Sequence, residues 1–330
     1  MTPEAFPPLD PQEQAWASGL AAALRGEIGR ALVGQQAVVD QVLATLLASG
    51  HVLLEGAPGL GKTLLVRALA RAIQGGHARI QFTPDLMPSD VTGHAVYDGR
   101  AERFHVRQGP VFTNLLLADE VNRAPAKTQA ALLEVMQEQQ VTLEGQALPV
   151  PRPFMVLATQ NPIEQEGTYP LPEAQLDRFL LKVTMDYPSP EEENALVRRV
   201  TEGRAGDRLD VEAVNAVATP EDILRLQAAA ARVRVDDAVC DYAVRLARAT
   251  RAWAGISLGA GPRGGIALVR AARAHALLEG RAFAAPDDVK ALALPALRHR
   301  IAPSPEAEIE GQDVDQLLEA LLDHIDAPRA

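Results

Sequence analysis

A glycine-rich segment carries the residue types that hold a phosphate chain. It reads Gly56, Ala57, Pro58, Gly59, Leu60, Gly61, Lys62 and Thr63, and Leu64 continues into an apolar helical run. Glycines let backbone N–H groups turn inward around an anion, the lysine reaches the outer phosphates, and the threonine hydroxyl can ligate Mg²⁺. A chance glycine-rich turn would explain neither the fixed spacing nor the flanking strand and helix. We therefore predict that the chain binds a nucleoside triphosphate with Mg²⁺.

Two adjacent carboxylates, Asp119 and Glu120, end the apolar run 115–118. A buried strand of this kind delivers its last side chains to the edge of a sheet where ligands bind. Hydrolysis needs one carboxylate for Mg²⁺ and a second that activates the attacking water. We assign Asp119 to the metal and Glu120 to catalysis. A pair that merely caps the next helix is the alternative, and the upstream phosphate loop weighs against it.

Two further polar groups have both a functional and a structural interpretation. Asn161 follows a buried strand, where it could bind the attacking water or the γ-phosphate, but asparagine before proline is also a common turn. Arg263 follows Pro262 at a predicted helix start, where the helix dipole disfavours its charge unless an anion is near. From the residues alone, a turn and a solvated arginine are the simpler interpretations.

The apolar runs predict a parallel sheet enclosed by helices, which is the α/β arrangement that such a loop requires. Buried strands are predicted at 52–54, 79–82, 115–118, 154–159 and 179–185, and helices at 16–32, 37–48, 64–70 and 126–138. Two hairpins are predicted near 95–107 and 140–152, around Asp-Gly and Glu-Gly turns.

A proline-rich break at 187–190 is the clearest change of composition. It predicts three parts: an N-terminal extension at 1–30 with a flexible lead to about 12, an α/β core at 31–187, and a smaller all-α lid at 188–330. Six lid helices are predicted, at 191–200, 220–233, 236–254, 262–278, 286–299 and 313–325.

Composition limits the classes of partner and compartment. A formal net charge of −11 provides no global field for a polyanion, so nucleic acid is not the expected partner. The single cysteine, Cys240, excludes an internal disulfide, suits a reducing compartment, and is predicted to be a packed core thiol. The absence of a signal-peptide pattern and of a membrane-length apolar run predicts a cytoplasmic protein.

Taken together, these residues resemble those of AAA+ ATPases and, within that superfamily, of the MoxR family over roughly residues 30–300. The resemblance rests on Val-Gly-Gln at 33–35, the phosphate loop at 56–63, Phe-Thr-Pro-Asp-Leu-Met-Pro-Ser-Asp-Val-Thr-Gly at 82–93, Leu-Ala-Asp-Glu-Val-Asn-Arg-Ala at 117–124, Thr-Gln-Ala-Ala-Leu-Leu-Glu at 128–134, Ala-Thr-Gln-Asn-Pro at 158–162, and Glu-Gly-Thr-Tyr-Pro-Leu-Pro-Glu-Ala-Gln-Leu-Asp-Arg-Phe at 166–179.

The resemblance implies specific residue roles. Asn161 falls at the sensor-1 position, which positions water. Arg178 matches the arginine finger that reaches the ATP of a neighbouring subunit, and Arg263 matches the sensor-2 arginine of the lid. Val33 and Gly34 match residues that contact adenine, although a helix-capping turn explains that break equally well.

The resemblance also implies an assembly and a task. It implies an Mg²⁺-dependent ATPase in a homo-oligomeric ring, often a hexamer, that remodels or matures a protein client, including by metal or cofactor insertion. A von Willebrand factor A domain protein is the implied partner. The alternatives are a chelatase-type or nucleic-acid-remodelling motor, which DNA would stimulate in the latter case, and a small-molecule kinase, which would transfer phosphate to a metabolite.

Overall fold

The computed structural model describes residues 7–99, 102–161, 169–201 and 211–328. Its centre is a five-stranded parallel sheet in the order β2-β5-β8-β1-β9. The strands are β1 (Val52–Gly56), β2 (His77–Gln81), β5 (Leu115–Asp119), β8 (Met155–Gln160) and β9 (Leu181–Met185). The predicted parallel α/β sheet is therefore confirmed, although β9 begins two residues later than the predicted start at Phe179.

Alternate residues of each central strand enter different apolar layers, because successive side chains of a strand point to opposite faces. In β5, Leu115 and Leu117 pack on one side, and Leu116 and Ala118 pack on the other. The first layer contains α1 (Pro11–Ala31), α2 (Gln36–Leu47) and α3 (Lys62–Ala72), and the second contains α4 (Pro88–Thr92) and α5 (Ala126–Glu138). Both faces of the sheet are thus covered, which leaves its edge for ligands.

Both predicted hairpins are present in the structure. Strand β3 (Gly93–Asp98) pairs antiparallel with β4 (Arg103–Gln108), and β6 (Gln140–Leu143) pairs with β7 (Gln146–Pro149). Arg100, in the predicted turn of the first hairpin, lies outside the described residues.

The C-terminal part is mainly helical, as predicted, and it also contains two pairs of short strands that were not predicted. Helices α7 to α14 span Pro190–Thr201, Pro220–Arg232, Asp237–Ala249, Pro262–Leu278, Pro286–Ala291, Ala293–Leu297, Pro305–Ile309 and Val314–His324. Short strands β10 (Arg234–Val235) and β12 (Phe283–Ala284) pair, as do β11 (Ile256–Leu258) and β13 (Ala302–Pro303). Strands of two or three residues are too short to show an alternating pattern.

Several predicted helix boundaries also change. The helix expected at 286–299 is divided after Ala291, because Pro295 has no N–H to bond the carbonyl four residues earlier. The helix expected at 236–254 ends at Ala249, and the short helices α4, α6 (Glu173–Leu176) and α13 were not predicted. Helix α1 begins at Pro11, inside the predicted flexible lead, since Asp10 caps it by accepting the N–H groups of Gln12 and Glu13.

Cys240 is exposed, so its predicted role as a packed core thiol is wrong. Helix α9 buries Val239, Tyr242 and Leu246, and Cys240 falls on the opposite face. Among the described helices, none is both long and apolar enough to cross a membrane.

Candidate functional site

The phosphate loop joins the end of β1 to the start of α3. A Cβ on Gly56 would lie 2.6 Å from the carbonyl oxygen of Met185, so only glycine permits the close approach of β1 to β9. Gly61 caps α3 at φ 91°, and no side chain caps the first-turn N–H groups of that helix. These N–H groups remain available to an anion at the positive end of the helix dipole.

A cavity of about 730 Å³ lies above this loop and gathers most of the predicted site residues. Its lining includes Pro58, Gly59, Gly61, Lys62, Thr63 and Leu64 from the loop, together with Asp119, Glu120 and Asn161. The lining also contains four residues that were not predicted: Arg67, Arg79, Gln81 and Thr159. The carboxyl ends of β2, β5 and β8 therefore converge on the phosphate loop.

Lys62 is folded back toward its own loop, and its Nζ donates a hydrogen bond to the carbonyl oxygen of Gly56 at 2.6 Å. Burial lowers the pKa of this ammonium, while Asp119, Glu120 and Glu55 favour the charged form. The cation is thus held beside the cavity, close to Asp119 and Glu120.

Asp119 is fixed from two sides. The Thr159 hydroxyl donates to its Oδ1 at 2.6 Å, and Arg79 Nη2 donates to its Oδ2 at 2.6 Å. The hydroxyl of Thr63 lines the same cavity, so the donors near the metal position are oxygens, which Mg²⁺ prefers. Among the described residues, no group of three or more His, Cys, Asp or Glu is arranged so that it could hold a metal ion by itself.

Glu120 adopts the left-handed backbone conformation, at φ 57° and ψ 50°. A non-glycine residue costs about 1 kcal/mol or more in this region, and such residues cluster at active sites. Its N–H donates to Thr159 Oγ1 at 2.8 Å, and its Oε2 accepts from Gln81 at 2.8 Å and Arg123 at 3.0 Å. The strained turn and these hydrogen bonds fix the carboxylate at the cavity wall.

Asn161 is 8% exposed and lines the cavity directly after β8. This position agrees with a group that contacts the γ-phosphate or its attacking water. Pro162 and the first residues of the 166–179 signature lie outside the described residues.

A second, smaller cavity of about 190 Å³ adjoins the first and shares Pro58, Gly59, Gly61 and Leu64 with it. Val33 lines this cavity, as do Leu60, Tyr187 and Leu196, and Gly34 lies next to it at φ 73°. Apolar walls beside a phosphate loop suit a nucleotide base.

Arg178 and Arg263 do not reach the phosphate cavity; they line a separate cavity of about 360 Å³ with Arg270 and Arg300. Arg178 Nη1 donates to the carbonyl oxygen of Leu133 at 2.6 Å. Arg263 Nε lies 3.7 Å from Asp177 Oδ2, and its side chain is 55% exposed. The structure therefore brings the two predicted arginines together, but places them apart from the phosphate loop of their own chain.

Arg300, which was not predicted from the sequence, connects several residues of the cavity that contains Arg178 and Arg263. Its side chain is buried and donates to Asp177 Oδ1 at 2.8 Å, to the Phe179 carbonyl oxygen at 2.6 Å and to the Leu180 carbonyl oxygen at 3.2 Å. Burial lowers the pKa of Arg300, and Asp177 opposes that shift. The two residues on either side of Arg178 are thereby bound to the segment that follows α12.

Comparisons with known proteins agree with this geometry. Residues 51–181 match the model of the ATPase family associated with various cellular activities (AAA), and residues 246–321 match the AAA lid domain. Chaperone MoxR1 of Mycobacterium tuberculosis is 48% identical over 288 residues, which are 83% of this chain and 74% of that protein. The uncharacterized protein YeaC of Bacillus subtilis is 46% identical over 301 residues, 91% of this chain and 92% of that protein.

Among solved structures, a crystal structure of a proposed ATPase from Cytophaga hutchinsonii superimposes with a TM-score of 0.88 at 40% identity. The match covers 96% of this chain and 98% of that one. A magnesium-chelatase 38 kDa subunit, from Acidiphilium rubrum, is a more distant relative, 32% identical over 215 residues, which are 62% of this chain and 58% of that protein.

Proposed function

Because the chain belongs to the MoxR family of AAA+ ATPases and is an ATP hydrolase, we propose that it acts as one subunit of a ring that remodels or matures a protein client. Nucleotide binding follows from the family, and rings are general among AAA+ ATPases. The hexameric state, the client and a von Willebrand factor A domain partner are parts of the proposal. The chaperone name of the relative MoxR1 supports a protein client over a metabolite.

The phosphate cavity divides the chemistry among its side chains. Lys62 sets its ammonium against the outer phosphates, and Glu120 takes the proton of an attacking water that Asn161 orients. Thr63 and Asp119 would hold Mg²⁺, which when bound neutralises the charge that develops on the phosphate oxygens.

One observation carries the ring proposal: Arg178 and Arg263 lie together in a cavity that excludes the phosphate loop of the same chain. The phosphate cavity of a single chain thus contains neither Arg178 nor Arg263, and the cavity that contains these two arginines has no phosphate loop. We assign both arginines to the nucleotide of the adjacent subunit. An arginine supplied in this way typically accelerates hydrolysis by about 10³ to 10⁵.

Mixed assemblies test this assignment. Arg178→Ala and Glu120→Gln should each be nearly inactive alone, whereas an equimolar mixture should hydrolyse ATP. In that mixture, the intact Arg178 of a Glu120→Gln subunit completes the intact site of an Arg178→Ala subunit.

The matched control is a mixture of Lys62→Ala and Glu120→Gln, in which both changes disable the same half of the site. This mixture should stay inactive at every ratio. If the Arg178→Ala mixture is equally inactive while both variants co-assemble, the arginine does not act between subunits.

We also propose the cytoplasm as the compartment, since the single cysteine suits a reducing environment. The division into an extension at 1–30, a core at 31–187 and a lid at 188–330 is likewise proposed, on the composition break at 187–190. Limited proteolysis with ATP present would locate the boundary.

A further inference from the structure

The outward face of α10 continues from Arg263 as a regular stripe. Ile266, Arg270 and Arg273 follow it at spacings of three or four residues, which places them on one side of the helix. Ile266 is 56% exposed. With a rise of 1.5 Å per residue, the stripe extends about 15 Å from Arg263 to Arg273.

This stripe forms one wall of an apolar groove between α9 and α10, with a volume of about 480 Å³. Val244, which is 43% exposed, lies on the α9 side. Arg248 and Arg273 border the groove, and neither pairs with a carboxylate of the described residues. Arg273 Nε is buried with no hydrogen-bond partner in the described structure. The groove therefore combines an exposed apolar floor with uncompensated positive charge.

The N-terminal turn of helix α7 has the opposite charge, although Arg198 and Arg199 lie in the last turn of that helix. It begins with three consecutive acids, Glu191 to Glu193, and carries Val197, which is 54% exposed. Its Glu193 and Leu196 line the cavity assigned to the nucleotide base. The acidic turn of α7 thus lies directly beside the nucleotide site of its own chain.

We propose that the groove between α9 and α10 receives helix α7 of the adjacent subunit, with Arg248 and Arg273 against its N-terminal acids. The inference rests on the proposed sharing of Arg178 and Arg263 between subunits. If Arg263 reaches the neighbour's phosphates, the remainder of its stripe must lie against the surface next to that nucleotide. That surface includes α7, whose charge and exposed valine complement the groove.

A charge-reversal experiment tests this contact. The groove variant is Arg248→Glu with Arg273→Glu, and the helix variant is Glu191→Lys with Glu193→Lys. Sedimentation velocity in AMP-PNP and Mg²⁺ measures the protein concentration at half-assembly. Each variant alone places like charges at every interface. Its protein concentration at half-assembly should therefore rise by about tenfold or more.

An equimolar mixture of the two variants should assemble within about twofold of the unmodified chain. In an alternating ring, each reversed groove faces a reversed helix, and each native groove faces a native helix. This recovery also shows that both variants fold. Arg245→Glu, on α9 but outside the groove lining, is the control and should assemble as the unmodified chain does.

Unchanged assembly of both variants, or a mixture no better than either variant alone, overturns the docking assignment. In that case the proposed function would still stand if the unmodified chain assembles and the equimolar mixture of Arg178→Ala and Glu120→Gln hydrolyses ATP. An unmodified chain that stays monomeric with AMP-PNP overturns both proposals.

Discussion

The buried histidine ahead of the phosphate loop makes the stability of the protein depend on pH in a calculable way. His51 Nδ1 accepts the N–H of Val156 at 3.0 Å, and its Nε2 lies 3.0 Å from the carbonyl oxygen of Met136. A neutral ring with its proton on Nε2 satisfies both contacts. Burial lowers the pKa of His51 to about 4; the Met136 carbonyl opposes this shift, and Arg270 adds to it.

The direction and size of the effect follow from linkage. Between pH 4 and 6.5, His51 is protonated in the unfolded chain but neutral in the folded protein. The free energy of unfolding therefore decreases as pH falls. A difference of about 2.5 pKa units corresponds to about 3 kcal/mol in total. Between pH 7 and pH 5, the expected loss of folding free energy is about 2 kcal/mol.

Urea unfolding of the unmodified chain and of His51→Gln, at several values between pH 7 and pH 5, measures this loss. Glutamine does not titrate, so the variant should be less stable at pH 7 yet lose about 2 kcal/mol less on acidification. His77→Gln, which removes an exposed histidine, should retain the slope of the unmodified chain. Parallel pH profiles for the unmodified chain and His51→Gln would refute the assignment of a buried neutral ring.

Two further outcomes are expected. Lys62→Ala should abolish tight ATP binding in a titration with fluorescent ATP, and undiminished affinity would show that the loop is wrongly assigned. Burial raises the pKa of Asp288, but hydrogen bonds from Arg281 and His275 outweigh it and leave a value of about 2, below the ordinary 3.8. Asp288→Asn should therefore reduce stability by about 2 kcal/mol at pH 7, and the difference should shrink as pH falls from 3.8 toward 2.

The nucleotide-binding half of the site could be predicted because its signals are local. The phosphate loop runs directly into α3, so both are visible in one short stretch of sequence. An apolar strand that ends in two acids likewise points to Asp119 and Glu120 without knowledge of the rest of the fold. Helix α5 was predicted at its observed bounds, 126–138, for the same reason.

Partners that meet only through the sheet could not be predicted. Arg79 and Gln81 reach Asp119 and Glu120 because β2 pairs with β5, and strand order is not encoded in spacing along the chain. Thr159 was a candidate in principle, since it precedes the end of β8 at the same sheet edge. Arg300 contacts Asp177 across 123 residues of sequence, so no local pattern reveals it.

The charges around Arg178 support the proposal that one chain is only part of a working enzyme. The cavity is lined by four arginines, at 178, 263, 270 and 300, and Asp177 is the one carboxylate among its described lining residues. Burial lowers the pKa of Arg300, Asp177 opposes that shift, and Arg263 and Arg270 add to it. Because like charges in a partly buried site repel strongly, this cluster gains stability when an anion enters. The phosphates of a neighbour's nucleotide would supply that anion. Nucleotide binding would then strengthen the association of subunits by the same coupling free energy by which association strengthens nucleotide binding.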